Sequence, residues 1–553
     1  MAHSLQTPSL AQFKLPAIDN EPMLSYAPGS VERQKLQAAI EEMRAQVPFE
    51  VPVVINGEKI YTGKTSQQLN PSEHKSVLCT YHEGDAALTQ KAIDGALAAR
   101  ARWEALPFNE RAAVFMKAAD LLSSKYRYQM MAATMLGQGK NIWQAEIDSA
   151  AELADFLRFN CKYAEELYTQ QPPKNSAGVW NRVEFRALEG FVFAVTPFNF
   201  TAIAGNLPGA PALMGNVVLW KPSPSAVYSN YLVYQLFEEA GLPAGVIQFV
   251  PGPAEEICAA ALSSPDFASL HFTGSTHVFR KLWKDIGNNI DLYKSYPRIV
   301  GETGGKNFHI LHPDLASADL KHAALQTIRG AFEFQGQKCS ATSRVYVPKA
   351  LAQEFKSYLV AEHAKITQGP VHEFQHFTGP VINKFAFDKI KSFVDYAASS
   401  SECEILAGGK TDDSVGYYIQ PTVIATSNPK TKTMVDEIFG PVVTVYEYEE
   451  SFEETCKLIG ETTQYALTGA LFARSRENIT IGTNLLRHLA GNFYVNDKST
   501  GAVVGQQPFG GGRASGTNDK AGSLTLLTRF VSTRAIKENF VPIEGFAYPS
   551  NLQ

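Results

Sequence analysis

Cysteine is scarce in this 553-residue chain: six residues, at 79, 161, 258, 339, 403 and 456, with no CxxC pair among them. That scatter argues against a disulfide scaffold or a cysteine-built zinc centre, so no metal site is expected, and it suits a reducing compartment. An excess of one charge is missing too. There are 50 Lys and Arg against 55 Asp and Glu, a net charge of −5, which gives no reason to expect a nucleic acid partner. Internal repeats, low-complexity tracts and long linkers are absent, and no GxGxxG occurs. Arginine is sparse at the N-terminus, where Lys14 is the only cation before Arg33 and the acids Asp19 and Glu21 follow it. A mitochondrial presequence is Arg-rich and poor in acids, so that signal is weak, and no secretory hydrophobic region is present. The one long uncharged stretch, between Glu189 and Lys221, contains Pro197, Pro208, Pro211, four glycines and three asparagines. That composition predicts turns and buried loops in a core, not a membrane span.

What remains is an ordinary globular composition, 45% hydrophobic and 19% charged, in a chain too long for one core. Apolar periodicity predicts helices over 31–46, 85–103, 109–124 and 144–168. On the last of these, Asp148 and Glu152 are four residues apart and share a face. Residues 178–186 alternate as an exposed strand does, and an uncovered strand of that kind invites a partner. From 190 to 300 strands and helices alternate, which predicts a parallel sheet with helices on both faces. Gly274-Ser275-Thr276 opens one of these helices and offers free N–H groups to a phosphate. A second α/β unit runs to about residue 496, and the last twenty or so residues are strand-like and then irregular.

The chain is organised around 301–343, which opens GETGGKN and closes FQGQKCSATS. Glu302 is expected in a Gly-rich loop before a strand at 307–311, and Cys339 in a loop after a helix at about 320–334. A thiol and a carboxylate on two such loops can face one cavity as nucleophile and base.

These two motifs resemble the paired active-site signatures of the NAD(P)-dependent aldehyde dehydrogenase superfamily. TPFNF at 196–200, KPSPS at 221–225, FTGS at 272–275, EIFGP at 437–441 and PFGGGRASG at 508–516 extend the resemblance over nearly the whole chain. Within the superfamily the chain is most similar to the branch acting on pyrroline-5-carboxylate, through EGFVFAVTPFNFTAIAGNLPGAPALMGN, NFYVNDKSTGAVVGQQPFGG and SGTNDK. The resemblance implies an α/β fold with a Rossmann-type NAD-binding domain (1–173 and 191–301) and an α/β catalytic domain (302–505). It adds a β-hairpin flap and C-terminal segment (174–190 and 525–553) that join subunits into a homodimer or higher oligomer. It also implies NAD-dependent oxidation of L-glutamate 5-semialdehyde, with another semialdehyde or general aldehyde dehydrogenase as the alternative. A mitochondrial matrix location follows from the family only, with the cytoplasm as the other option.

Residue by residue, the resemblance makes Cys339 the nucleophile, helped by the neighbouring Lys338, and Glu302 the base for the hydrolytic water. Asn199 becomes the oxyanion donor, together with the backbone N–H of Cys339. Thr196, Lys221, Gly274, Ser275, Thr276, His277, Val278 and Glu437 are placed along NAD, with Phe279 where many members have a second glycine. Ser340, Gly501 and Ala502 are placed on the substrate carboxylate, Phe509 on its aliphatic part, and Glu152 as the ion-pair partner of Lys338.

Overall fold

A computed structural model describes residue 11 and residues 13–552. Two seven-stranded sheets carry the architecture. The first runs Arg298–Glu302, Phe267–Thr273, Phe191–Val195, Val217–Lys221, Ile247–Phe249, Val53–Ile55, Glu58–Ile60, and its first five strands are parallel. Its central strands are apolar along their length because both faces are covered. Val192, Ala194, Val218 and Trp220 point into one buried cluster, while Phe191, Phe193, Val217 and Leu219 point into another. Removing one of these rings, as in Phe193→Ala, costs roughly 3–5 kcal/mol.

The second sheet runs Cys403–Ala407, Thr422–Thr426, Val442–Tyr448, Thr342–Pro348, Asn307–Leu311, Thr468–Phe472, Asn492–Val495, parallel except at its first edge. Alternation again sorts the side chains, with Val345 and Val347 on one face and Tyr346 on the other.

The uncharged stretch is not the set of loops its prolines predict. It forms Phe191–Val195, a helix Thr201–Leu213 with Pro208 and Pro211 inside it, and Val217–Lys221. A helix proline leaves the carbonyl four residues back without its donor. His271 fills that role for Pro211: its Nδ1 lies 2.8 Å from the Leu207 carbonyl, which can only accept, so Nδ1 carries the proton. The helix start is held by Asp148, which accepts from the N–H groups of Thr201 (2.9 Å) and Ala202 (2.8 Å). No described helix is long and apolar enough to cross a membrane.

Asp148 itself lies in a π-turn, Glu146–Glu152, which interrupts the long helical run before Leu153–Tyr168. A helix Arg127–Gln138, not among those predicted from periodicity, packs against the same region. The exposed strand Val179–Arg186 pairs antiparallel with Ser532–Asn539. The flap is therefore a two-stranded ribbon built from distant parts of the chain, where the sequence suggested a hairpin.

Candidate active site

After the helix Ser317–Phe332 the chain turns through Gln335 (φ 50) and Gly336 (φ 63) to reach Cys339. Gly336 is required twice, by its left-handed backbone and because a Cβ would collide with the Gly440 carbonyl of the EIFGP segment. Side-chain amides staple this loop from three directions. Gln335 Nε2 donates to the carbonyls of Gly139 and Pro380, both at 2.7 Å, and Gln337 Oε1 accepts from the Ile382 N–H at 2.9 Å. Asn307 Nδ2 donates to the carbonyls of Cys339 (2.7 Å) and Ala341 (2.8 Å). Asn199 reaches the same loop, donating from Nδ2 to the Gln337 carbonyl at 3.0 Å.

Glu302 is the last residue of the edge strand Arg298–Glu302, not a residue of a free loop. One cavity is lined by Cys339, Glu302, Ser340, Gly501, Ala502 and Phe509, so the structure brings together residues drawn from four segments. Burial dominates their electrostatics. The Cys339 thiol is pushed up to about 12 by burial, with the nearby carboxylates of Glu302 and Glu437 adding to the effect. Glu302 is raised well above the usual carboxylate range, again by burial, and the Lys520 ammonium opposes the rise. The electropositive help expected from Lys338 is not delivered, because its ammonium is engaged elsewhere.

That engagement corrects the expected pairing. Lys338 Nζ lies 3.2 Å from Glu333 Oε2, and Lys498 Nζ lies 2.9 Å from Glu333 Oε1. Glu333 thus sits between two ammoniums, which more than offset its burial and hold it below the usual range. Glu152 lines the cavity without an ion pair to Lys338, and burial raises it to about 8. Asp148 is committed to Lys140, 2.7 Å away, with both side chains fully buried.

The loop at 498–504 is tied to the catalytic segment by hydroxyls. Ser340 Oγ meets Thr500 Oγ1 at 2.7 Å, and Ser499 Oγ donates to the Ser340 carbonyl at 3.3 Å. Gly501 has φ 96, a conformation that favours glycine. Among the described residues, the N–H groups of Gly501 and Ala502 donate to no protein acceptor. Phe509 exchanges backbone hydrogen bonds with Ala521 (3.0 and 2.8 Å) and forms part of the cavity wall.

The residues assigned to NAD, apart from Glu437, lie along the C-terminal ends of the first sheet's strands. Lys221 is buried, and among the described residues its ammonium has only the Pro222 carbonyl as acceptor, at 3.3 Å; burial lowers its pKa. Ser275 caps the helix Thr276–Asn288 by accepting from Val278 N–H at 3.3 Å. The N–H groups of Thr276 and His277 then have no acceptor among the described residues. Glu437 Oε1 accepts from the Gly305 N–H at 2.9 Å, and its carboxylate lies so close to Gly304 that a Cβ there would collide with it. An under-bonded buried ammonium, a free helix N-terminus and a carboxylate for a ribose fit a dinucleotide. Thr196 contributes less than expected: its hydroxyl accepts from Trp220 Nε1 (3.0 Å) and lies 3.2 Å from Asn230 Oδ1. Phe279, in the place of a glycine, turns into the core, stacks on Phe272 at 5.4 Å and leaves no room for a side chain at Gly301.

Sequence reasoning missed Gln335, Gln337, Asn307, Glu333 and Lys520. Two were visible inside FQGQKC, where glutamines flanking a turn glycine signal a side-chain-stapled loop. The others become neighbours only through the fold.

The family model for the aldehyde dehydrogenase family matches residues 60–536. The chain is 60% identical over 550 residues to the delta-1-pyrroline-5-carboxylate dehydrogenase of Agaricus bisporus, covering 99% of this chain and 100% of that one. It is 47% identical to the mitochondrial delta-1-pyrroline-5-carboxylate dehydrogenase of Homo sapiens, covering 96% and 94%. Among solved structures it is similar to the Mycobacterium tuberculosis delta-pyrroline-5-carboxylate dehydrogenase bound with NAD. The TM-score is 0.93 and the identity 44%, with 98% of this chain and 100% of that one covered.

Proposed function

Because the chain belongs to the aldehyde dehydrogenase family, we propose that it oxidises L-glutamate 5-semialdehyde, the open form of 1-pyrroline-5-carboxylate, to L-glutamate with NAD. This is the last step of proline breakdown. The observation that carries the reading is the single cavity in which Cys339 and Glu302 meet the unoccupied amides of Gly501 and Ala502. A thiol and a carboxylate serve any aldehyde; only the amides select one that carries a carboxylate.

Those two N–H groups and the Ser340 hydroxyl grip the α-carboxylate without burying a cation against it. The Cys339 sulfur, freed of its proton, bonds to the aldehyde carbon. With a free thiol at about 12, that proton has to leave to solvent water as the substrate binds. The carbonyl π electrons move to oxygen, and the developing oxyanion is received by Asn199 Nδ2 and the Cys339 N–H. NAD, held by Lys221, the helix start at Ser275–Val278 and Glu437, supplies the hydride acceptor when bound. Hydride loss leaves a thioester on Cys339, and Glu302 deprotonates the water that cleaves it.

Exposed apolar side chains on and beside the Val179–Arg186 and Ser532–Asn539 ribbon support a homo-oligomer joined there. Trp180 is 49% exposed, and Phe540, Ile543 and Phe546 are more so. Relatives named mitochondrial support a mitochondrial location. The deciding experiment is NADH formation from racemic pyrroline-5-carboxylate, compared with succinate semialdehyde and propanal. Equal kcat/KM on all three would remove the substrate assignment and leave a general aldehyde dehydrogenase.

A further inference from the structure

The segment SGTNDK, residues 515–520, has no task in the chemistry above, yet it is built around Glu302. The Thr303 N–H donates to the Ser515 carbonyl (2.9 Å), and the Thr517 N–H donates to the Gly301 carbonyl (2.9 Å). The Gly301 N–H donates to Thr517 Oγ1 (3.0 Å), and Glu302 bridges antiparallel to Gly516. A strap therefore runs along the otherwise open side of the strand that ends in Glu302. It then bends through two left-handed residues, Asn518 and Lys520, both at φ 58. Asparagine tolerates this conformation; lysine does so less readily, and such outliers gather where function needs them.

The bend turns the Lys520 ammonium inward. Its Nζ donates to the carbonyls of Gly491 (2.7 Å) and Gly510 (2.9 Å), and it forms no ion pair within 4.0 Å among the described residues. Gly510 is also the floor beneath Glu302, where a Cβ would lie 2.9 Å from Oε1. The backbone of Gly511 also acts to hold this carboxyl down, and its Oε2 is buried with no hydrogen-bond partner. A half-buried lysine anchored to neutral acceptors and a carboxylate with a buried, unpartnered oxygen thus share one glycine.

We propose that Lys520 is a positioning residue for the base: a fixed ammonium whose charge keeps the Glu302 carboxylate ionisable inside a largely apolar cavity. This rests on the reading of Glu302 as the hydrolytic base. In that step the water oxygen bonds to the acyl carbon while its proton passes to the carboxylate. The tetrahedral adduct then breaks its C–S bond, the sulfur leaves with the bonding pair and is reprotonated, and the product departs as the acid. Among the described residues the charged or titratable groups acting on Glu302 are Lys520 and Asp519 on the strap and Cys339 on its own loop; the same cavity is also lined by Glu152, Glu333, Lys338 and Lys498, and by His271, which burial lowers to about 4. Burial raises Glu302, Asp519 adds to the rise and Lys520 opposes it. Removing the lysine charge therefore moves the carboxyl higher still, and a pKa higher by one leaves roughly tenfold fewer ionised molecules at neutral pH.

The test compares Lys520→Met, Lys520→Gln and Lys520→Arg, measuring the NADH burst and then the decay of the thioester as a function of pH. Gln keeps donors for the two carbonyls and loses the charge, while Arg keeps the charge. The expected result is a preserved burst in all three. The rising limb of thioester decay should move to higher pH by about one unit or more in Met and Gln and stay in place in Arg. Decay slowed uniformly at every pH in Gln, or a limb displaced equally in Arg, would show a purely structural lysine and overturn the proposal. If Met does not fold, Gln and Arg still decide. Glu302→Gln measured alongside separates the two ideas. Sustained turnover there defeats the base assignment itself, whereas a burst followed by a stall, with an unmoved limb in Lys520→Gln, defeats only the role of Lys520.

Discussion

Gly304→Ala isolates one contact of the cofactor site. Gly304 has no left-handed backbone to lose, so an added methyl acts only through what it touches. What it touches is the carboxylate of Glu437. The far end of that side chain is free to swing while the backbone stays, so the fold should survive and the 2.9 Å bond from the Gly305 N–H should not. A hydrogen bond to a charged group contributes about 1.5–3 kcal/mol. At about 1.4 kcal/mol per factor of ten, affinity for NAD should fall roughly tenfold to a hundredfold if Glu437 holds the nicotinamide ribose. Calorimetric titration of NAD reads this directly, and a melting curve taken without NAD controls for general damage. The sharper check is a double-mutant cycle. In a Glu437→Ala background the new methyl meets no carboxylate, so Gly304→Ala should add almost nothing to the loss. Fully additive losses would refute the idea that the glycine exists to admit Glu437.

Three further outcomes follow from the geometry. Ala502→Pro removes one of the free amides and should raise KM for glutamate semialdehyde far more than KM for propanal; equal losses on both would show that this loop does not read the carboxylate. His271→Leu strands the Leu207 carbonyl and should cost about 1–3 kcal/mol in chemical denaturation. Adding Pro211→Ala restores an N–H at the right position and should recover part of that loss, and an absence of recovery would reject the pairing. For the free enzyme, burial raises Cys339 above its unfolded value to about 12, so the reactive thiolate is the minor form at neutral pH. Its alkylation by iodoacetamide, followed on the Cys339 peptide, should therefore keep climbing about tenfold per pH unit well past the ordinary thiol range, and a plateau near pH 8.5 would contradict it.

The fold was legible wherever one physical rule dominates a segment. Val217–Lys221 has the apolar run of a parallel strand covered on both faces, in keeping with the strand–helix alternation read over 190–300. Within that stretch the helix Val227–Ala240 ends where Gly241, at φ 104, stops it. Legibility failed where distant residues rewrite a local rule. Prolines at 208 and 211 argue against a helix on local grounds, and only the supply of outside partners, such as His271 for Leu207 and Asp148 for the helix start, makes one stable. His271 is 64 residues from Leu207 in sequence and Asp148 is 53 from Thr201, too far for any local pattern to register them.

The site divides in the same way, and the division has a chemical reason. Residues proposed to react or to meet a ligand through the backbone, such as Cys339 and Gly501, stand in short motifs because a loop conformation is fixed by neighbours in sequence. Residues that set charge do not. Lys338 was matched to Glu152, but its ammonium reaches Glu333, which also holds Lys498 from a different strand end. In a buried network an ammonium takes the carboxylate that completes the larger cluster, because an ion desolvated without full pairing is costly. Glu152, left out of that cluster, remains at about 8 and is poised between its two protonation states. The chemistry of the cavity thus depends on two layers. The motifs place the residues proposed to react, and a separate set of lysines, Lys338 and Lys498 on Glu333 and Lys520 beside Glu302, opposes the effect of burial on the carboxyls there. A chain that kept every motif residue but lost these lysines would keep the shape of the site and alter its proton chemistry.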